Sequence, residues 1–376
     1  MKSSVILAAA AAATFTSAFP TKQNRSSSHS TEDCPNGYAV RPEWSQMSKQ
    51  HRKEYISALQ CMMQKPSTVE ETNVSSHYAD INYTHQFPGQ AIHFVAQFLP
   101  WHRHYVYTYH QELKECGYTG EMPFWAWDWN ADDVFNSSVF DADPECGLGT
   151  NGTLAEEAPL NAFAVTNGGL ANHTIEFPYN HVFQRNLQTL PKGAPQPLDR
   201  FIQPAEVEKA LSFDVYEYFH RYVEGAPPQE PLKDIPGMEG EMGFAGMHGG
   251  IHRMIGGDMG GILAHIESPD WCPSFTATES SNDGANSSPQ DPLFFLHHAN
   301  VDRVWAQWQD QSLEDNMYAF GGWTYHNYTT ESGVGKATLN DTMRFGYLTD
   351  PVPVHHAMDY RKAYCYVYAD KDYREA

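Results

Sequence analysis

The chain has 376 residues, with 24 Lys or Arg against 46 Asp or Glu and a formal net charge of −22. This charge excludes nucleic-acid binding and attraction to an anionic membrane surface, because both need a basic face. Hydrophobic residues make up 41% of the chain, enough to bury a core. The 19 His, 20 Phe, 21 Tyr and 9 Trp suggest metal chemistry on small aromatic molecules.

The N-terminal segment predicts export from the cell. Lys2 supplies a positive charge, residues 5–13 are apolar but too short to cross a bilayer, and residues 16–18 (TSA) form a small-residue cleavage site. We therefore expect residues 1–18 to be a signal peptide, with an uncleaved membrane anchor as the alternative. Residues 19–33 are polar and Ser-rich, which predicts a flexible leader.

Sequons and cysteines also indicate a secreted, extracellular protein. N-glycans are expected because nine N-x-S/T sequons occur, at Asn24, Asn73, Asn82, Asn136, Asn151, Asn172, Asn286, Asn327 and Asn340. The six cysteines include no CxxC pair, which excludes a zinc ribbon. They are Cys34, Cys61, Cys116, Cys146, Cys272 and Cys365. In an oxidising compartment they predict up to three disulfides, with a free reactive thiol as the alternative.

Hydrophobic periodicity predicts a mainly α fold with long ordered loops and few short strands. We expect helices over residues 43–64, 101–115, 204–223 and 291–309. Pro100 precedes the second helix, while Asp291 and Pro292 have the residue types of an N-cap and a first helical position.

Polar, turn-rich stretches interrupt the helical pattern at residues 136–176, 191–204 and 268–290. The last stretch predicts an inserted surface loop attached through Cys272. No stretch is long or simple enough to mark a domain boundary, and the sequence has no internal repeat. Residues 34–376 are therefore expected to form a single domain.

Histidines carry the strongest chemical signal. His85, His93 and His102 are spaced by eight and nine residues, so a helix and the segment before it can bring them to one metal ion. His248 and His252 in HGGIH are four residues apart and therefore lie on one helix face. The zinc-protease signature HExxH needs Glu directly after its first His, and its absence here excludes that catalytic base.

A third element is DPLFFLHHANVDRVW, in which His298, Asp302 and Trp305 share one helix face. His297 points about 100° away from that face. One of the two adjacent histidines can join the pair in HGGIH. Two sites built from three imidazoles each favour copper over calcium or magnesium, although zinc and purely structural histidines remain alternatives on spacing alone.

Several stretches resemble, in order, the motifs of tyrosinases and catechol oxidases, which hold a type-3 dinuclear copper centre. FLPWHR at 98–103 is similar to the end of the first copper motif, and PFWAWDW at 123–129 to the Trp-rich stretch that follows. HGGIH with IGGDMGG at 255–261 is similar to the start of the second copper motif, and DPLFFLHHANVDRVW at 291–305 to its end. YCYVY at 364–368 resembles the stretch that closes the family core.

The resemblance implies a fold, a site and a reaction. The fold would contain a central four-helix bundle that holds the two copper ions. Copper A would be bound in the motif 85–102 and copper B in the motif 248–298, by His85, His93, His102, His248, His252 and His298. His298 is chosen over His297 because the related haemocyanins keep only the second His of this pair. The reaction would convert o-diphenols or related o-substituted phenols to o-quinones, with O2 reduced to water.

The resemblance also implies residues that shape the substrate site. Gly249 lies where monophenol-hydroxylating members often carry Asn, so diphenol oxidation is favoured, because Gly has no side-chain donor or acceptor. Arg253 would face the substrate and favour acidic phenols. Ile262 or Leu263 falls where the family places the residue above the second copper ion, and an aliphatic residue there would leave the mouth open.

Further residues would support the ligands from outside. Glu239 or Glu241 could orient the water that deprotonates a phenol, while His297 and Asp302 would pack behind the copper ligands.

The chain also departs from many relatives. It has Ala91 and Tyr83 near His93, so the thioether link between a ligand histidine and a nearby cysteine is not available. It ends about eight residues after YCYVY, so no C-terminal lid domain is expected. These features resemble fungal secreted short polyphenol oxidases. The alternatives are a monophenol-hydroxylating tyrosinase, an o-aminophenol oxidase, and a non-catalytic oxygen-binding protein.

Overall fold

The structure is a computed structural model. It describes residues 34–69, 74–86, 88, 91–154, 163–176, 180–192, 194, 196–226, 235–238, 244–260, 287–327 and 332–372. Most regular structure in these ranges is helical, which confirms the mainly α prediction. The described α-helices are α1 (Lys49–Gln64), α2 (His77–Gln86), α3 (Phe98–Glu115), α4 (Pro204–Leu211), α5 (Tyr216–Glu224), α6 (Gly246–Ile255), α7 (Leu293–Gln311), α8 (Val354–Met358) and α9 (Tyr360–Tyr364). None of them is both long and apolar enough to cross a membrane.

The predicted helices are present, with local differences at their ends. The expected helix 43–64 begins as a separate 3-10 turn at Trp44–Gln46, and α1 starts after Ser48, whose hydroxyl accepts the N–H of His51. The helix α3 begins at Phe98 rather than at residue 101, so Pro100 lies in its first turn, where the missing N–H costs nothing.

The expected helix 204–223 is two helices, α4 and α5, and the single-helix prediction is wrong there. Trp308 explains part of the break, because its Nε1 donates to the carbonyl of Phe213 at 2.6 Å and so occupies an acceptor between the two helices. Asp291 was expected as the N-cap of α7, but Pro292 holds that position. The carboxylate of Asp291 still caps the helix by accepting the N–H of Leu293 at 2.9 Å.

The described strands form two-stranded sheets and are short. The pair β1 (Ala39–Arg41) and β10 (Tyr366–Tyr368) is parallel, with Ala39 opposite Tyr366. The other pairs are antiparallel: β2 (Thr153–Leu154) with β3 (Phe163–Ala164), β4 (Thr174–Ile175) with β5 (His181–Val182), β6 (Tyr325–Asn327) with β7 (Ser332–Val334), and β8 (Thr342–Met343) with β9 (Val352–Pro353).

The core lies where α3 and α6 pack against α7, with α1 behind α2 and α3. Six tryptophans in it are fully buried: Trp44, Trp101, Trp125, Trp127, Trp305 and Trp308. Together with Phe and Tyr they give a dense aromatic interior. The four helices that carry the candidate ligands, α2, α3, α6 and α7, therefore surround the predicted site with apolar side chains.

Two disulfides are formed within the described ranges. Cys34–Cys365 joins the chain before β1 to the chain before β10, and Cys61–Cys116 joins α1 to α3. Cys146 is buried and has no disulfide partner among the described cysteines. Burial raises the pKa of its thiol, which does not favour the reactive thiol given as the alternative. Cys272 and most of the expected loop 268–290 lie outside the described residues; residues 288–290 form a 3-10 turn before α7.

Candidate metal centre

The first histidine group joins α2, the segment before α3, and α3 itself. One ring nitrogen of each of His85, His93 and His102 lies within 4.8 Å of the others, and all three side chains are buried. The Nε2 atoms of His85 and His102 are 3.2 Å apart. His102 Nδ1 donates to the carbonyl of Phe98 at 2.8 Å, one turn earlier in the same helix. This hydrogen bond fixes the ring and leaves Nε2 as a lone pair directed at the group.

The second histidine group joins α6 and α7. His248, His252, His297 and His298 each place a ring nitrogen within 4.8 Å of the others. The Nε2 atoms of His252 and His298 are 3.3 Å apart. His252 Nδ1 donates to the carbonyl of Met259 at 2.8 Å, which again leaves its Nε2 as a lone pair.

The two histidine groups are direct neighbours. The rings of His102 and His298 stack with centroids 4.4 Å apart and planes inclined by 14°, and those of His93 and His248 are 6.2 Å apart. Phe98 contacts both groups, with centroids 4.9 Å from His102 and 4.7 Å from His248. Two metal ions held by these groups would therefore be adjacent in one aromatic-walled site.

Phe294 closes the other side of the site. Its ring centroid lies 4.1 Å from that of His298 and 5.0 Å from that of His85, so it also contacts both groups. Sequence reasoning did not single out Phe98 or Phe294. Their positions, four residues before His102 and before His298, were the available signal, because side chains at that spacing share a helix face.

His297 has a different hydrogen bond from its neighbours. Trp127 Nε1 donates to His297 Nδ1 at 3.2 Å, and Trp127 is fully buried. Because an indole nitrogen can only donate, His297 Nδ1 must be the acceptor, and in the neutral ring the proton then lies on Nε2. An Nε2 that carries a proton has no lone pair for a metal ion, unlike the Nε2 of His252.

Burial keeps four of the candidate ligands neutral. It lowers the pKa values of His102, His248 and His298 well below the usual range, and the neighbouring histidines lower them further. Burial lowers the pKa of His252 to about 4. Neutral imidazole is the form that binds metal ions, so the groups are ready for a metal ion at neutral pH.

The donor set fits first-row metal ions. Two imidazole nitrogens that bind one ion at 2.0–2.1 Å lie about 3.3 Å apart at a tetrahedral angle, close to the Nε2 separations within the two groups. Within the described ranges, His248 Nε2 is buried without a hydrogen-bond partner. A buried polar atom of this kind is rare unless a ligand or ion satisfies it. Imidazole donors alone suit copper, zinc, iron and nickel.

Asp302, expected to pack behind the ligands, connects α7 to other elements. Its Oδ1 accepts Arg103 Nε at 2.5 Å, and its Oδ2 accepts Arg41 Nη1 at 3.4 Å as well as the hydroxyls of Tyr366 and Tyr368. The carboxylate thus ties α7 to α3, β1 and β10 and contributes to the scaffold around the site. Asp128 has a similar role, since it accepts from Arg303 and Asn300.

The expected substrate-shaping residues are only partly described. Gly249 and Arg253 lie one turn apart on α6, each directly after a histidine of the second group. Arg253 is half-buried, burial lowers its pKa, and it has no hydrogen-bond or ion-pair partner in the described part of the chain. Ile262, Leu263, Glu239 and Glu241 lie outside the described residues.

A carboxyl group that sequence reasoning missed lies beside the site. Glu224 ends α5 and is buried, and its Oε1 accepts the N–H of Phe94, the residue after His93, at 2.5 Å. Its Oε2 has no hydrogen-bond partner among the residues that the structure describes. Its backbone carbonyl lies 3.6 Å from where a Cβ would stand at Gly249. Burial raises the pKa of Glu224 well above its usual value.

A helical core with two adjacent groups of largely buried histidines is the architecture of a dinuclear metalloprotein. The sequence model of the common central domain of tyrosinase matches residues 71–311. The chain therefore belongs to the tyrosinase family and is a copper-dependent oxidoreductase. The family's cofactor is a pair of copper ions, and the two histidine groups are compatible with it.

Individual relatives agree with this placement. The chain is 30% identical over 365 residues to the N-acetyl-6-hydroxytryptophan oxidase of Emericella nidulans, and the alignment covers 88% of this chain and 92% of that protein. It is 29% identical over 363 residues to tyrosinase P of Aspergillus terreus, covering 88% and 91%. A mutant polyphenol oxidase from Thermothelomyces thermophila superimposes with a TM-score of 0.69 at 25% identity, covering 89% of each chain.

Proposed function

We propose that this chain is a secreted dicopper oxidase that converts o-diphenols or related o-substituted phenols to o-quinones, with O2 reduced to water. The observation that carries the proposal is the pairing of two buried histidine groups across one aromatic-walled site. Each group has three candidate ligands. They are His85, His93 and His102 for copper A, and His248, His252 and His298 for copper B.

The choice of His298 over His297 rests on hydrogen bonding. His298 Nε2 is 3.3 Å from His252 Nε2, whereas His297 Nδ1 is occupied by the indole N–H of Trp127. The neutral His297 ring therefore presents a protonated Nε2. We propose that His297 is not a ligand and that it supports the second group by packing between Trp127 and the ligand histidines.

Copper, when bound, supplies the redox chemistry that couples phenol oxidation to the reduction of O2. The chain's own residues hold the ions and control their surroundings. The backbone carbonyls of Phe98 and Met259 orient the rings of His102 and His252. The rings of Phe98 and Phe294 exclude water from the two groups, which keeps the imidazoles neutral and the site apolar.

The substrate side is formed by α6 and the end of α5. Gly249 offers no side chain to hold a water molecule, which favours diphenols over monophenols. Arg253, which has no ion-pair partner within the described ranges, follows His252 and would attract a phenol with an acidic side chain. We assign the water-orienting role first expected of Glu239 or Glu241 to Glu224, whose buried Oε2 accepts no hydrogen bond from the described part of the chain.

One relative favours a second candidate function. The Emericella nidulans protein is named for N-acetyl-6-hydroxytryptophan, a phenol with a single hydroxyl and an acidic side chain. Oxidation of a monophenol, as by a tyrosinase, is therefore the alternative, and Glu224 would be the group that accepts the phenol proton through water. In both cases Arg253 would bind the acidic substituent.

Oxygen uptake by copper-loaded protein distinguishes these functions. A catechol and its matched monophenol are supplied separately, each with and without a carboxylate substituent. We expect rapid uptake with the catechols and a lower KM for the carboxylated one, a preference that Arg253→Gln removes. Oxygen uptake with the two monophenols as rapid as with their matched catechols would establish the tyrosinase alternative. No uptake with any of the four at two copper ions per chain would refute the proposal.

We also propose that residues 34–376 form one tyrosinase-like domain of an exported glycoprotein. Export is supported by the two disulfides, which form and persist in oxidising compartments. Glycosylation is supported by sequons whose asparagines are exposed, at Asn136, Asn151, Asn172 and Asn340. Mass spectrometry of the protein secreted by its native host tests both statements, because it gives the N-terminal residue and the occupied sequons.

A further inference from the structure

The turn that follows α6 carries a buried Asp that is paired with a buried His, and the proposed reaction does not use this pair. His181 Nε2 lies 2.6 Å from Asp258 Oδ1, and both side chains are fully buried. The other carboxylate oxygen, Oδ2, accepts the backbone N–H of Gln184 at 2.7 Å. Asp258 is therefore held at both oxygens by the segment 181–184.

Backbone contacts extend this attachment. Asp258 N–H donates to the carbonyl of Gln184 at 3.1 Å, and Gln188 N–H donates to the carbonyl of Met254 at 2.8 Å. Gly257 has φ +51°, and a Cβ there would lie 2.3 Å from the Gln184 carbonyl oxygen. Only glycine permits this approach, so the position of the turn depends closely on the segment beside it.

The next residue of the turn orients a candidate ligand. The carbonyl of Met259 accepts His252 Nδ1–H at 2.8 Å. This bond keeps the proton on Nδ1 and leaves the Nε2 lone pair facing His298 Nε2, 3.3 Å away. A shift of the turn would release His252 to rotate or to adopt the other tautomer.

We propose that His181 and Asp258 are positioning residues for the second histidine group. They hold the turn 256–260 so that the carbonyl of Met259 orients His252 for metal binding. The inference rests on the proposed function, since it takes His252 as a copper ligand. Partners that orient a metal ligand typically change metal affinity by about 10–100-fold, and we expect an effect of this size here.

Nuclear magnetic resonance of the metal-free protein tests the orientation without copper. Two-bond 15N–1H correlations report which ring nitrogen of His252 carries the proton. We expect the Nδ1–H form in the wild type and a mixture of tautomers in Asp258→Asn. A copper titration against a chelator should then show that the variant binds its second copper ion about 10–100-fold more weakly, with the first unchanged. His181→Gln should shift both readouts in the same direction, and it serves as the test if Asp258→Asn does not fold.

Glu43→Gln is the matched control. Glu43 is also a buried carboxylate, but it caps the turn Trp44–Gln46 and accepts from Ser45. This variant should lose stability and keep both copper affinities and the His252 tautomer. If Asp258→Asn and His181→Gln behave like this control, the pair is only structural and the inference is wrong. If the wild type binds no copper pair, the proposed function fails instead, and the tautomer measurement still decides the positioning role.

Discussion

Replacing the two adjacent histidines of α7 one at a time tests whether His298 is the copper ligand and His297 only a supporting residue. His298→Ala removes a nitrogen that lies 3.3 Å from His252 Nε2, and so deletes one of three ligands of the second site. His297→Ala removes the acceptor of the Trp127 indole N–H. The two changes delete the same ring from neighbouring buried positions, so each controls for the other.

The two variants should rank in opposite order for unfolding free energy and for copper affinity. Each variant creates a cavity that costs about 2–5 kcal/mol of unfolding free energy. His297→Ala also leaves the buried Trp127 N–H unpaired, which costs about a further 1–3 kcal/mol. His297→Ala should therefore be the less stable metal-free protein. His298→Ala should lose second-site copper by more than the 10–100-fold expected for an outer partner, whereas His297→Ala should stay within that range.

Denaturant unfolding of the metal-free variants gives the stability order, and copper per chain at a fixed chelator concentration gives the binding order. We expect about one copper ion in His298→Ala and about two in His297→Ala, with oxidase activity lost only in the former. Equal copper loss in both variants would refute the assignment of His298. Greater copper loss in His297→Ala would reverse it.

Further predictions concern acid stability, α6 and glycosylation. Burial lowers the pKa values of His110 and His220 to about 3, so the unfolded chain binds more protons than the folded chain between pH 6.5 and 3. The unfolding free energy of the metal-free protein should therefore decrease as the pH is lowered through this range, by up to about 1.4 kcal/mol per pH unit for each histidine. An unfolding free energy that does not change with pH would contradict this. Gly249→Ala places a Cβ 3.6 Å from a carbonyl oxygen, an ordinary contact, and should stabilise the protein by about 0.5–1 kcal/mol in denaturant unfolding while keeping both copper ions. Gly246→Ala is its control and should destabilise, because residue 246 has φ +63°. Asn82 lies buried in α2, so peptide mass spectrometry should find it unglycosylated even where the exposed sequons are occupied; a glycan there would contradict the packing of α2.

The sequence predicted what depends on local spacing. The four-residue spacing of His248 and His252 placed both on α6, and the pattern around His298 placed it on α7. The helical class followed from the same periodicity. Such signals survive folding because the helical repeat is set by the backbone and not by distant contacts.

Features set by distant contacts could not be read in this way. The bond from Trp127 to His297 joins residues 170 positions apart, and it decides the tautomer of His297. The break between α4 and α5 reflects a contact with Trp308, 95 positions from Phe213. Glu224 was missed because it lies 24 residues before His248, whereas Glu239 and Glu241 are closer in sequence. Only the packing of α5 on α6 brings its backbone next to Gly249.

Anomalous X-ray scattering at the copper edge, from crystals of the copper-loaded protein, tests the central claim most directly. We predict two peaks per chain. One should lie among His85, His93 and His102, and the other among His248, His252 and His298, with His297 still bonded to Trp127. A single peak, or a second peak bound by His297 in place of His298, would contradict this account of the site.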